Sequence, residues 1–237
     1  MILLEQLLKK YGSTIAVDIE SLTISQGEIF GLVGNNGAGK TTLLRLMLDL
    51  LKPERGKIFS SGIPVYQSEH WKKYTGSFID NNFLIEFLKP EEYFDFIGFI
   101  YGVDNKDLKK RLDEFENFMN GEVLGINKYI RTLSSGNKQK VGIVGAMISE
   151  PEVLILDEPF NFLDPSSQIS LKHILRRYHE KNTKTIILSS HNLSHISDLC
   201  TRVALMEKGK IIRDFKNAPE TMKEIENYFN LQTSEFK

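Results

Sequence analysis

Cysteine is nearly absent: Cys200 is the single one in 237 residues. It cannot close an internal disulfide, which fits a reducing compartment, and its plainest reading is a small buried hydrophobe. An excess of charge is missing too. Lys and Arg number 30, Asp and Glu 31, for a net charge of −1. That excludes an overall basic footprint for nucleic acid, while a local patch stays open. No apolar run approaches the ~18–20 residues of a membrane span, so if the protein works at a membrane, something else holds it there. The opening "MILLEQLLKKYG" sets apolar residues before its lysines and is broken by Glu5, the reverse of a secretory signal. Internal repeats and low-complexity segments are also lacking. What is present is ordinary globular composition, 41% hydrophobic and 26% charged. The length suits one large domain or two small ones, and such a chain buries roughly 70–75% of its unfolded surface without staples.

Ile15, Val17 and Ile19 alternate with polar or small residues, as a strand does. Ile29 to Val33 is a short, wholly apolar strand. From Lys40, "KTTLLRLMLDLL" has helical spacing, with Leu43, Leu44, Met47 and Leu51 on one face and Pro53 and Gly56 closing it. "GKIFSSG" reads as a strand and its turn. Residues 81 to about 148 form a helical insertion, with aromatic-rich "FLIEFLKPEEYFDFIGFIYG" and one amphipathic helix in "NKDLKKRLDEFENFMN". Beyond it, "EVLILDEP" and "TKTIILSSH" are buried strands, "SQISLKHILRRYHE" is a helix, and "RVALMEKGKIIRD" is a hairpin around Lys208-Gly209. Strands alternating with helices predict an α/β fold with a largely parallel sheet.

Two motifs carry chemistry. "GNNGAGKT", Gly34 to Thr41, fits G-x-x-x-x-G-K-[ST] between a strand and a helix. A chance match in a chain of this length has odds of about one in a hundred. Its glycines let backbone N–H groups turn inward on phosphate oxygens, and the helix N-terminus adds its positive end. Lys40 would reach the β- and γ-phosphates and the Thr41 hydroxyl would hold Mg²⁺. In "VLILDEP", Asp157 and Glu158 stand at the end of a buried strand, the sheet edge where open α/β folds bind ligands. Asp157 would hold Mg²⁺ and Glu158 would polarise an attacking water. "LSSGNKQ" from Leu133 by itself reads as a helix N-cap.

Together these residues resemble the ATP-binding subunit of ABC transporters, over nearly the whole chain and in the family's motif order. Tyr11 before Gly12 matches the aromatic that stacks on adenine. Gly34, Asn35, Asn36, Gly37, Ala38, Gly39, Lys40, Thr41 and Thr42 match the phosphate loop. Leu133–Asn137 matches the signature LSGGQ, with Ser134 and Gly136 as its phosphate contacts. Asp157 and Glu158 match the acid pair, Asp164 the D-loop aspartate and His191 the switch histidine. The resemblance implies a RecA-like P-loop NTPase core with a mostly parallel sheet, an N-terminal antiparallel β part and a helical subdomain. Expected boundaries are 1–80 and 150–237 for the core, and 81–149 for the helical subdomain with the signature, in one domain over 1–237. It also implies ATP and Mg²⁺, and head-to-tail pairing with a second nucleotide-binding domain, identical or different. The signature of each subunit would cover the γ-phosphate held by the other. The remaining partner is an integral-membrane permease, which places the chain on the cytoplasmic face of the membrane; no nucleic acid is expected.

Two departures stand out. Ser135 and Asn137 replace the usual glycine and glutamine of the signature. Asp80, in "TGSFID", occupies the place of a glutamine that contacts Mg²⁺ and water. Its charge would either tighten Mg²⁺ binding or slow closure of the site. An acid here is similar to a subgroup of exporters associated with antimicrobial peptides, so export is the expected direction. Phe83, Leu84 and Phe87 follow at once, as either permease contacts or core. The expected function is an ATP-hydrolysing subunit, with Glu158 and His191 catalytic, that powers an exporter. The alternatives are a soluble ATP-gated protein acting on ribosomes or nucleic acid, and an ATP-binding regulator without catalysis. The latter is opposed by intact Lys40, Asp157, Glu158 and His191.

Overall fold

The computed structural model describes residues 1–182 and 184–218; the part of the expected core segment from 219 onward lies outside the described residues. The chain forms two compact units, one joining Met1–Ser68 to the described residues from Ile187 onward, the other Glu69–Ile186.

The first unit begins with β1 (Ile2–Tyr11), β2 (Thr14–Ile24), β3 (Ile29–Val33), α1 (Lys40–Met47), β4 (Arg55–Ser60) and β5 (Ile63–Pro64). Strands β2-β1-β4-β5 make an antiparallel sheet. Val17 and Ile19 of β2 are buried, as their alternation predicts. In β1 the buried residues are Ile2, Leu4 and Leu7, a broken alternation. Gln6 has φ 48 and the register against β4 shifts between Glu5 and Leu8, so a bulge returns Leu7 to the inner face. Helix α1 ends at Met47, earlier than Pro53 would impose, and Leu51 lies beyond it. Asp49 takes φ 51, its N–H donates to Leu46 O, and Leu50 N–H donates to Arg45 O, the paired bonds of a Schellman stop with aspartate in glycine's place.

The second unit contains β6 (Thr75–Phe78), α2 (Pro90–Ile100), α3 (Asn105–Asp113), α4 (Glu116–Met119), α5 (Ser135–Met147), β7 (Val153–Leu156) and α6 (Pro165–Asn182). It also holds the first residues of β8 (Thr185–Ser190), within which the boundary falls. Here the strand order is β8-β7-β6, with β6 and β7 parallel. The single amphipathic helix expected over 105–120 is two helices. Glu114 and Phe115 donate to the carbonyls three residues back, which tightens the chain and lets Phe115, Phe118 and Met119 join Leu108 in the core.

Back in the first unit, α7 (Leu193–Ser197), β9 (Arg202–Glu207) and β10 (Lys210–Lys216) follow. Its sheet runs β10-β9-β3-β8, with β3 parallel to β9 and β10 antiparallel to β9. The β9–β10 turn is the expected hairpin, with Lys208 at φ 47 and Gly209 at φ 83, the two positive angles that match strand twist. Phe30, Leu32, Leu43, Leu44 and Ile196 are fully buried here, each worth about 1.5–3 kcal/mol relative to exposure. Among the described residues no helix is long and apolar enough to cross a membrane.

Candidate functional site

In the first unit, the loop from Gly34 joins β3 to α1. Gly34 has no room for a side chain: a Cβ would stand 2.3 Å from the carbonyl oxygen of Met206. The loop closes on itself, with Ala38 N–H on Asn35 O at 3.1 Å, and Gly209 N–H anchors Ala38 O at 2.9 Å. Asn35, Asn36 and Gly37 are its exposed tip, Ala38 and Lys40 are buried, and Thr41 and Thr42 are half-buried. Gly39, at φ 108, precedes the helix. The Lys40 ammonium turns back over the loop to donate to Gly34 O at 2.6 Å and Asn35 O at 3.3 Å. The strand end with His191 lies alongside: Gly34 N–H donates to Ser190 O at 3.4 Å, and His191 is exposed one residue on. Asn192 caps α7 by accepting from Ser194 N–H. Tyr11 ends β1, 51% exposed, with the Lys9 ammonium 5.6 Å from its ring centroid.

In the second unit, the parallel register pairs Phe78 with Leu156, and Asp157 N–H donates to Phe78 O at 3.0 Å. Asp80, Asp157 and Glu158 therefore leave the same end of neighbouring strands. Asp157 is buried and Glu158 half-buried. Glu158 has φ 46, costly for a residue with a side chain and more so before Pro159. Asp80 has a local task that the sequence did not reveal: its Oδ1 accepts from Asn82 N–H at 2.8 Å and caps the turn Asn81–Phe83. Of the three apolar residues after it, Phe83 and Phe87 are 52% and 70% exposed, whereas Leu84 is buried and leaves the set of surface contacts.

The signature turn belongs to the same unit. Ser134 is the N-cap of α5, its Oγ accepting from Asn137 N–H at 3.2 Å, so the hydroxyl proton stays available to donate outward. Gly136 lies against the loop after Glu158: a Cβ there would meet Phe162 O at 2.6 Å. Asp164 accepts from Ser166 Oγ at 2.5 Å, from Ser167 Oγ at 2.5 Å and from Ser167 N–H at 3.0 Å. The Ser166 hydroxyl first, then that of Ser167, holds its carboxyl well below the usual range. Gln139 and Lys140 are functional candidates that motif reading passed over. Both are buried, Gln139 donating from Nε2 to Glu158 O at 3.3 Å and Lys140 pairing with Glu122 at 2.9 Å. The available signal was two polar residues directly before the apolar run "VGIVGAM".

Residues 17–161 match the family model described as ABC transporter. The chain belongs to the ABC transporter family. It is the ATP-binding, ATP-hydrolysing cassette of that family. A "Probable sulfate/thiosulfate import ATP-binding protein CysA" of Chlorella vulgaris is 36% identical to the cassette over 212 residues, 90% of this chain and 89% of that one. "Methionine import ATP-binding protein MetN 1" of Oceanobacillus iheyensis is 35% identical over 225 residues, 91% of this chain and 66% of the relative. A solved structure described as the ATP binding subunit of an ABC transporter superposes with a TM-score of 0.81 at 26% identity, covering 98% of this chain and 94% of that one.

Proposed function

We propose that the cassette powers a membrane permease by binding ATP in the Gly34–Thr42 loop, pairing with a second cassette and hydrolysing the nucleotide. The observation that carries this reading is the Lys40 ammonium folded onto the carbonyls of Gly34 and Asn35. It holds a cation inside the phosphate loop, ready to exchange carbonyl oxygens for phosphate oxygens. The α1 N-terminus adds its positive dipole end. Tyr11 would stack on the base, and His191 would contact the γ-phosphate.

Glu158 is the proposed base, orienting a water, and its unusual backbone angle sets the direction of its carboxylate. Ser134 and Gly136 would cover the γ-phosphate of the facing cassette, with Asp164 stiffening the loop between. Thr41 and Asp157 are hard oxygen donors that fit Mg²⁺, whose chemistry is to neutralise charge on the β- and γ-phosphates. Asp80 needs no metal to account for it, since its carboxylate already caps a turn. The expected export direction gains no support from the relatives. The relatives whose names give a direction, CysA and MetN, are named for import. Direction and cargo belong to the permease.

Phe83 and Phe87 remain the proposed permease contacts, beside the half-exposed Tyr129, whose segment is tied to theirs by Ile130 N–H on Leu88 O and Arg131 N–H on Glu86 O. The test is steady-state ATP hydrolysis together with sedimentation of Glu158→Gln. Hydrolysis by the parent, its loss in the variant and an ATP-dependent dimer of that variant are expected. A parent that binds ATP without cleaving it would overturn the reading.

A further inference from the structure

We infer that Gln139 is a positioning residue that ties the signature helix to the proposed base of the same chain. This rests on Glu158 being that base. The loop Glu158–Leu163 contains two left-handed residues with side chains, Glu158 at φ 46 and Phe162 at φ 65. Such angles persist only where neighbours over-determine them. Two helices do so here. From α6, Gln168 Nε2 donates to Phe160 O at 3.3 Å and Leu163 O at 3.1 Å. From α5, Gly136 abuts Phe162 O, and Gln139 Nε2 donates to Glu158 O at 3.3 Å. The same carbonyl also accepts from Asn161 N–H at 3.1 Å, so the peptide plane following Glu158 is held from two directions.

The bond from Gln139 reaches the residue whose angle aims the carboxylate. Gln139 lies one helical turn beyond Ser134 and Ser135 and is 5% exposed, so water does not replace its amide. Ser134 and the Gln139 amide thus stand at two ends of the same rigid first turns of α5. Movement of the signature turn onto a phosphate shifts the Gln139 amide, and with it the Glu158 carbonyl. Occupancy of the neighbouring site is in this way reported to the base of this chain. The coupling needs no contact between Gln139 and nucleotide.

Gln139→Met keeps the length of the side chain and removes the donor. A buried neutral hydrogen bond corresponds to about a three- to tenfold effect on rate. The full chain carrying Gln139→Met is expected to lose about three- to tenfold in kcat, with KM for ATP and equilibrium binding of a fluorescent ATP analogue within twofold of the parent. Gln139→Glu, isosteric but with an acceptor facing a carbonyl, should fall at least as far. The decisive comparison is a double-mutant cycle with Glu158→Gln. If Gln139 acts through Glu158, adding Gln139→Met to Glu158→Gln lowers the residual turnover no further. Multiplying losses, or an unchanged kcat in both single variants, would overturn the inference. A Gln139→Met chain that does not fold leaves Gln139→Glu to complete the same cycle. Failure of the underlying reading looks different: Glu158→Gln alone would then hydrolyse ATP like the parent.

Discussion

Adding one methyl group to Gly136 tests the fold and the proposed chemistry together. Two effects oppose each other in Gly136→Ala. Alanine gains up to ~1 kcal/mol of helix propensity over glycine in a helix interior, and less at the second residue of α5. Against it, the new Cβ would stand 2.6 Å from Phe162 O, a backbone atom in a left-handed residue that cannot rotate away. Overpacking of this kind costs about 1–3 kcal/mol. The clash wins, leaving about 1 kcal/mol of net destabilisation, a fall in Tm of about 2–4 °C at this chain length. Activity should fall further than stability, because what must give is either the signature turn or the loop behind Glu158. Differential scanning fluorimetry with steady-state ATPase reads both, and a loss of about tenfold or more in kcat is expected, corresponding to ~1.4 kcal/mol. A variant with parental Tm and parental turnover would refute the close approach of α5 to this loop as a constraint on catalysis.

Asp164→Ala should lower Tm at neutral pH. Because hydroxyl donors hold the folded-state carboxyl below its ordinary value of 3.8, this stabilisation is complete above that pH and disappears as pH falls below it. The Tm gap between variant and parent should therefore narrow in acid, and a gap that widens there would reverse the assignment. Leu84→Asp buries a charge and should abolish soluble folded protein, whereas Phe87→Asp should fold with Tm within about 2 °C of the parent and lose permease binding. Equal damage from both, seen by circular dichroism, would contradict their different burial. Asp80→Asn keeps an oxygen for Asn82 N–H and removes the charge, so ATPase should persist with the same Mg²⁺ half-saturation. A shifted Mg²⁺ titration would return Asp80 to the metal's neighbourhood.

The phosphate loop was legible because its signals are local: a buried apolar strand, glycines at fixed spacing, two of them, Gly37 and Gly39, at positive φ, and a helix starting at the lysine. The Lys208-Gly209 hairpin and the buried "VLIL" strand were legible for the same reason. Strand β1 was harder, since the bulge at Gln6 disturbs the period of two and leaves Leu3, Leu4, Leu7 and Leu8 looking like no regular face. The stop of α1 was misplaced because aspartate, not glycine, takes the left-handed position at its end. Phe83, Leu84 and Phe87 have one chemical character and two fates, decided by a short turn capped by Asp80. Gln139 stood out only as a polar residue before an apolar run, and its role was hidden for a different reason. Its partner is a backbone carbonyl 19 residues away, and no spacing rule marks a bond that the tertiary packing of α5 creates.

The most direct test of the central claim is an affinity capture of the tagged full chain from gently solubilised native membranes, with and without ATP, followed by identification of what is bound. A multi-span membrane protein captured by the parent and lost with Phe87→Asp is the predicted result. Ribosomal proteins or nucleic acid in its place, with no membrane protein, would contradict it.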